Sequence, residues 1–356
     1  MSTQNAGFFS RRKLILSGAA AAAAAPSLFA QSSEPLRILI MQNFDAKELE
    51  LLSKAAPGRK VEITMVKGRE ELRAKLPQAE VLFGEIRAAE MDYAPKLKWI
   101  QAGGAGMEGF DKKVLASPIT VTNMARVFAP GIAETAMGLL LSISRGISTY
   151  YMPQFYRKEW KPIGTVRTPD HIELAGRTMG IVGMGGIGTE IAKRAHYGFG
   201  MKVWATDAKP MPKPDFVEIL REPGWFPEMA KQVDVLVSAA PHTAKTEGMF
   251  NEAIFRSMKK GAIFIAMSRG KLFDDMALVK VLKEGHLRGA GLDVFPMEPI
   301  PSNHPIFECN NVVMTPHTSG WGEERQQRLV AHFAENIRRY SLGEPMLAVV
   351  DKVAGY

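Results

Sequence analysis

The run from Thr178 to Gly188, TMGIVGMGGIG, constrains this chain more than any other stretch. An apolar strand passes directly into Gly183, Gly185 and Gly188, and a helix pattern starts at once. In that context the first glycine permits a tight turn, the second lets backbone approach a pyrophosphate, and the third seats the helix on the strand. The unpaired N–H groups of Gly186 and Ile187 at the helix start complete an anion site. Asp207 ends the next apolar run, Lys202 to Thr206, where a dinucleotide domain needs a carboxylate for the adenosine ribose. A carboxylate there favours NAD over NADP, although Lys209 and Lys213 follow and could offset its repulsion of a 2′-phosphate.

Short apolar runs alternate with amphipathic segments along the rest of the chain, as a parallel sheet with crossover helices requires. The first block reads as strands at Leu36 to Met41, Val61 to Val66, Val81 to Glu85, Trp99 to Ala102 and Ile119 to Thr122, with helices at Ala46 to Ala56 and Arg69 to Leu76. A long apolar helix should run from Pro130 to about Tyr150, and a polar stretch from Met152 to Asp170 follows it. The second block reads as six strands, Thr178 to Val182, Lys202 to Thr206, Asp234 to Ala240, Ala262 to Met267, Ala290 to Val294 and Val312 to Thr315. A last helix, Glu323 to Tyr340, is placed to return to the first block. The expected fold class is α/β, two Rossmann-like doubly wound domains with a cleft between them. The nucleotide domain, 126–319, would be inserted in a substrate domain of 36–125 and 320–350.

The amino terminus is set apart from this pattern. Arg11 and Arg12, a short weakly apolar stretch with the alanine run Ala19 to Ala25, and the ending Leu28-Phe29-Ala30 read as a twin-arginine type signal peptide over 1–30. An alanine-rich tail or amphipathic helix is the competing reading. Export implies the translocase as a transient partner and a periplasmic location; a cytoplasmic protein with an uncleaved leader is the alternative. The single cysteine, Cys309, excludes an internal disulfide, and no Cys/His spacing suggests a metal. The formal charge of +8 falls by three without the leader, and the remaining basic residues are scattered, which speaks against nucleic acid and for a small anionic substrate.

Three late residues each follow a strand, where ligands bind in such sheets: Arg269 in AMSRG, Glu298 in DVFPMEP and His317 in TPHTSG. Hydride transfer to a ketone needs a proton donor, a cation for the substrate's charge and a pocket beside the nicotinamide. At these residues the chain resembles the D-2-hydroxyacid dehydrogenase family of the glyoxylate/hydroxypyruvate reductase type, in order and approximate spacing, over nearly all of Leu36 to Val350. Ala133-Glu134, the run from Pro241 to Thr246, GLDVF from Gly291 and the Gly343-Glu344-Pro345 ending belong to the same resemblance.

The resemblance implies that His317 is the acid and base, Glu298 holds its other ring nitrogen, and Arg269 binds the substrate carboxylate and carbonyl. It implies Asp293 for the nicotinamide carboxamide, Pro241 and Thr246 in the cofactor site, Ala105 and Gly106 in a carboxylate-binding loop, and a homodimer. The expected activity is transfer of a hydride between NAD(H) and C2 of a small 2-oxo or 2-hydroxy acid. An NAD-binding sensor or corepressor-like protein is the alternative, which the presence of Arg269, Glu298 and His317 disfavours. His242, at a strand end where the family more often has an apolar residue, and Arg126 and Trp321 are further candidates for the cleft wall.

Overall fold

The computed structural model describes residues 34–160 and 171–355. The leader and the end of the polar stretch, 161–170, lie outside the described residues.

The first sheet contains β1 (Leu36–Ile40), β2 (Val61–Met65), β3 (Val81–Phe83), β4 (Trp99–Gln101) and β5 (Thr120–Thr122), all parallel, in the order β2-β1-β3-β4-β5. The second contains β6 (Thr178–Val182), β7 (Lys202–Thr206), β8 (Ile219–Arg221), β9 (Val235–Ser238), β10 (Ile263–Ala266), β11 (Gly289–Leu292) and β12 (Val312–Met314). They too are parallel, in the order β12-β11-β10-β9-β6-β7-β8. Both orders are doubly wound, and the direction of winding reverses between β6 and β9 in the second sheet, which leaves a crevice at their carboxyl ends. Central strands such as β9 and β10 are buried along their whole length because helices cover both faces.

The second sheet has one strand more than the sequence pattern predicts. β8 is three residues of partly exposed edge, ILR, too short and too polar to signal a strand. The long helix is also shorter than expected. It runs Ala129–Ser144, with Pro130 in its first turn, and Gly146 ends it in the left-handed conformation with φ 63°. A wider turn, Ile147–Tyr151, and a short helix, Met152–Tyr156, occupy the start of the stretch read as polar loop. The long helix buries Ala133, Ala136, Leu140 and Ile143 against Ile263 and Ile265 of β10 and their neighbours.

The last helix, Arg325–Leu342, packs Leu329, Phe333 and Ile337 against Leu36, Phe83 and Trp99 of the first sheet. Burying each such side chain contributes roughly 1.5–3 kcal/mol. A buried polar chain joins the same elements. Trp99 Nε1 donates to Thr122 Oγ1 at 2.8 Å, that hydroxyl donates to Gln101 Oε1 at 2.8 Å, and Asn336 Nδ2 donates to Gln101 Oε1 at 3.1 Å. A satisfied network of this kind fixes the register of helix on sheet.

The chain passes from the first sheet to the second near 123–128 and returns near 318–324, and the two crossings touch. Gly131 faces the carbonyls of Ser319 and Trp321, and Gly320 faces the Phe128 side chain. The Arg325 guanidinium lies 4.4 Å from the Trp321 ring centroid and 5.1 Å from that of Phe128, and Arg328 Nε donates to Val127 O at 3.0 Å.

Candidate active site

The glycine loop follows β6 at the switch point. Gly183 has φ 98°, and a Cβ there would sit 2.7 Å from the backbone of Ala240 at the end of β9. Gly188 presses on the Gly183 carbonyl, whereas Gly185 faces open space. Gly186 packs against Arg126 Cα and Cγ, and Arg126 is itself left-handed with φ 75°. Gly183, Gly186 and Gly188 are therefore required by packing, and Gly185 leaves room where a pyrophosphate would approach the amides of Gly186 and Ile187. Asp207 Oδ2 accepts from Met184 N at 2.6 Å and Oδ1 from Lys209 N at 2.7 Å, so the carboxylate braces the loop it would share with a ribose. Pro241 and Thr246 close one turn after β9, with Thr246 Oγ1 donating to Pro241 O at 2.7 Å. These residues fit a nicotinamide dinucleotide, which when bound supplies or accepts the hydride.

His317 and Glu298 meet directly. His317 Nδ1 donates to Glu298 Oε2 at 2.6 Å, and Glu298 Oε1 accepts from Phe295 N at 2.8 Å. The ring's other nitrogen is thus left for substrate chemistry. His317 has φ 55°, an uncommon conformation for a residue with a side chain, held by its amide donating to Asp293 O at 2.8 Å. Asp293, 1% exposed, takes up the rest of that loop. Its Oδ1 accepts from Thr315 Oγ1 at 2.6 Å, Thr318 N at 3.0 Å and Ser319 N at 3.1 Å, while Ser319 Oγ donates to Oδ2. The carboxylate that the resemblance assigns to the nicotinamide carboxamide also anchors the histidine loop. Thr315, Thr318 and Ser319, flanking His317 in the TPHTSG motif, are its partners.

Gly270 brings the arginine to the same place. The backbone of Phe295 lies where a Cβ on residue 270 would be, so only glycine lets the loop after β10 seat on the loop after β11. Arg269 then reaches across the cleft. Its Nε donates to Glu108 Oε1 at 2.8 Å, with Nη2 3.5 Å from Oε2, and its Nη1 donates to Ser268 O at 2.7 Å. Both the guanidinium and the Glu108 carboxylate lie against Gly106, so the expected substrate loop and the expected substrate arginine are in contact. Asn123 Nδ2 holds that loop through Ala105 O at 2.8 Å, and Met124 N holds it through Gly104 O at 2.9 Å. Partial burial opposes the charge on Glu108, but Arg269, the residue's own backbone N–H and the nearby His242 ring outweigh it and keep the carboxyl below its usual range. In sequence, Glu108 is marked only by its carboxylate in a glycine-rich turn whose evident feature is its backbone amides.

Of the remaining candidates, His242 lies near Glu108, with its Nε2 3.3 Å from Glu247 Oε2, whereas Trp321 is 68% exposed beneath Arg325. Among the described residues no group of His, Cys, Asp and Glu is arranged to hold a metal.

A doubly wound sheet with a glycine loop at its switch point, beside a histidine–carboxylate couple and a cleft-spanning arginine, defines a dinucleotide-dependent oxidoreductase. Residues 137–319 match the NAD binding domain of the D-isomer specific 2-hydroxyacid dehydrogenases, and the chain belongs to that family. It is 34% identical to a glyoxylate reductase of Korarchaeum cryptofilum over 327 residues, 90% of this chain and 94% of the relative. A D-3-phosphoglycerate dehydrogenase of Methanocaldococcus jannaschii is 31% identical over 87% of this chain and 58% of its own length. Among solved structures, an NADPH-dependent glyoxylate/hydroxypyruvate reductase from Sinorhizobium meliloti in complex with NADP and sulfate superimposes with a TM-score of 0.71 at 26% identity, over 90% of this chain and 99% of the other.

Proposed function

We propose that this protein interconverts a small 2-oxo acid and its D-2-hydroxy acid, with His317 as proton donor and acceptor, Glu298 as its partner and Arg269 as the substrate anchor. The observation that carries the reading is the 2.6 Å contact of His317 Nδ1 with Glu298, one loop away from Arg269. In reduction, His317 Nε2 gives its proton to the carbonyl oxygen as C2 gains the hydride. Glu298 fixes the ring and balances its charge, and Arg269 orients the acid and stabilises the developing alkoxide. The amides near Ala105 and Gly106 receive the carboxylate, and Asp293 keeps the histidine loop in place while lying beside the nicotinamide site. The glyoxylate and hydroxypyruvate reductases among the relatives support a small substrate.

Asp207 supports NAD as the preferred cofactor, although the Sinorhizobium relative is NADPH-dependent. A spectrophotometric screen of 2-oxo acids with NADH and NADPH tests the activity and the preference together; no turnover with either would sink the reading. The paired arginines Arg11 and Arg12 support export by the twin-arginine route to the periplasm with cofactor already bound, and family membership supports a homodimer. Fractionation with N-terminal sequencing and a solution mass measurement test these two points.

A further inference from the structure

Resting on that function, the geometry points to Glu108 as the residue that sets the charge class of the substrate: it admits 2-oxo acids with one negative charge and disfavours those with a second. Glu108 lies side-on to Arg269, on Nε and toward Nη2, while Nη1 also serves Ser268 O. A guanidinium has five N–H donors in a planar fork, so its outer edge still has donors for one substrate carboxylate. The charge of Arg269 is, however, already balanced before any substrate enters.

Glu108 belongs to the same turn as Ala105 and Gly106, and its carboxylate touches Gly106. An anion placed on that turn is therefore a near neighbour of a second carboxylate. Arg269 and the His242 ring both face Glu108, and His242 stands 3.3 Å from a further acid, Glu247. A monoanionic acid takes the outer edge of Arg269 and adds one charge to the cleft. A terminal carboxylate or phosphate adds another beside Glu108 and Glu247, where like charges set side by side repel. Selection by such a repulsive element separates acids of equal size.

The test compares oxaloacetate with 2-oxosuccinamate, its amide of nearly the same shape but one charge fewer, on wild type and Glu108→Gln, with glyoxylate as the small monoanion. Wild type should prefer the amide in kcat/KM by about tenfold or more, and Glu108→Gln should shrink that preference by about tenfold, mainly by improving oxaloacetate. Both substrates are read on one protein, so partial unfolding cancels from the ratio, and Glu108→Asp, which keeps the charge, should keep the preference. A ratio unmoved by Glu108→Gln, or a wild type that prefers oxaloacetate, overturns the assignment while leaving the function intact. A wild type inert toward all three acids removes the function and this inference with it.

Discussion

The two walls of the cleft are built differently. On the nucleotide side, backbone and buried groups fix the chemistry: Gly183 and Gly270 allow contacts that no side chain would permit, and Asp293 ties three residues of the histidine loop. On the other side, the turn around Ala105 and Gly106 is held through Asn123 and Met124 and meets the first wall through one part-exposed ion pair, Glu108–Arg269. The proposed acid-base couple is thus set before substrate arrives, whereas the proposed anion-binding wall depends on a contact that substrate can rearrange. Reacting groups need fixed geometry, and recognition of a small acid needs a surface that can exchange partners.

The contrast breaks first at the fixed wall. Replacing His317 with Gln should lower kcat by about 10²–10⁴-fold, with the nucleotide dissociation constant unchanged in fluorescence titration; retained turnover would remove the proposed proton donor. Asp293→Ala strands the amides of Thr318 and Ser319 and should lower stability by roughly 3 kcal/mol and kcat by about tenfold, followed by urea unfolding and steady-state rates. Gly106→Ala tests the other wall. Only the mobile ends of Arg269 and Glu108 oppose the new methyl group, so the fold should survive while KM rises by about tenfold. Unaltered KM would show that the turn does not receive substrate.

The smallest effect concerns the support of the second wall. Burial holds the His332 ring below its ordinary pKa, against a backbone hydrogen bond at Asn123. The folded state favours the neutral ring, so its contribution is complete above the unfolded pKa of about 6.5 and is lost as pH falls through the lower folded value. His332→Gln should flatten the decline in urea stability between pH 7.5 and 5.5 by a few tenths of a kcal/mol. An equal decline in both proteins would assign it to other groups.

Most of the fold was legible because buried parallel strands are near-continuous apolar runs and the glycine fingerprint has a strand before it and a helix after it. The edge strand Ile219–Arg221 was not, since with one buried face at most it lacks that run. The apolar pattern of the long helix continues through Gly146, while the left-handed φ that ends it is a backbone event. Within the site, His317, Glu298 and Arg269 stood out by type and position after strands. Glu108 did not, because its partner lies 161 residues away and only the fold brings them together. The ties of Asp293 were hidden for a similar reason, as they depend on the path of the loop from Thr315 to Ser319.

The paired crossings at Phe128 and Gly320 have a mechanical consequence. Two bodies joined at two neighbouring points can swing about the line through them, like a door on two pins, but resist sliding and twisting. His317 sits beside one pin, and the Gly106 turn is tied through Asn123 and Met124 to the segment that forms the other. A swing about that line therefore moves both walls of the site little, and displaces most the ends of the two sheets that lie far from the crossings.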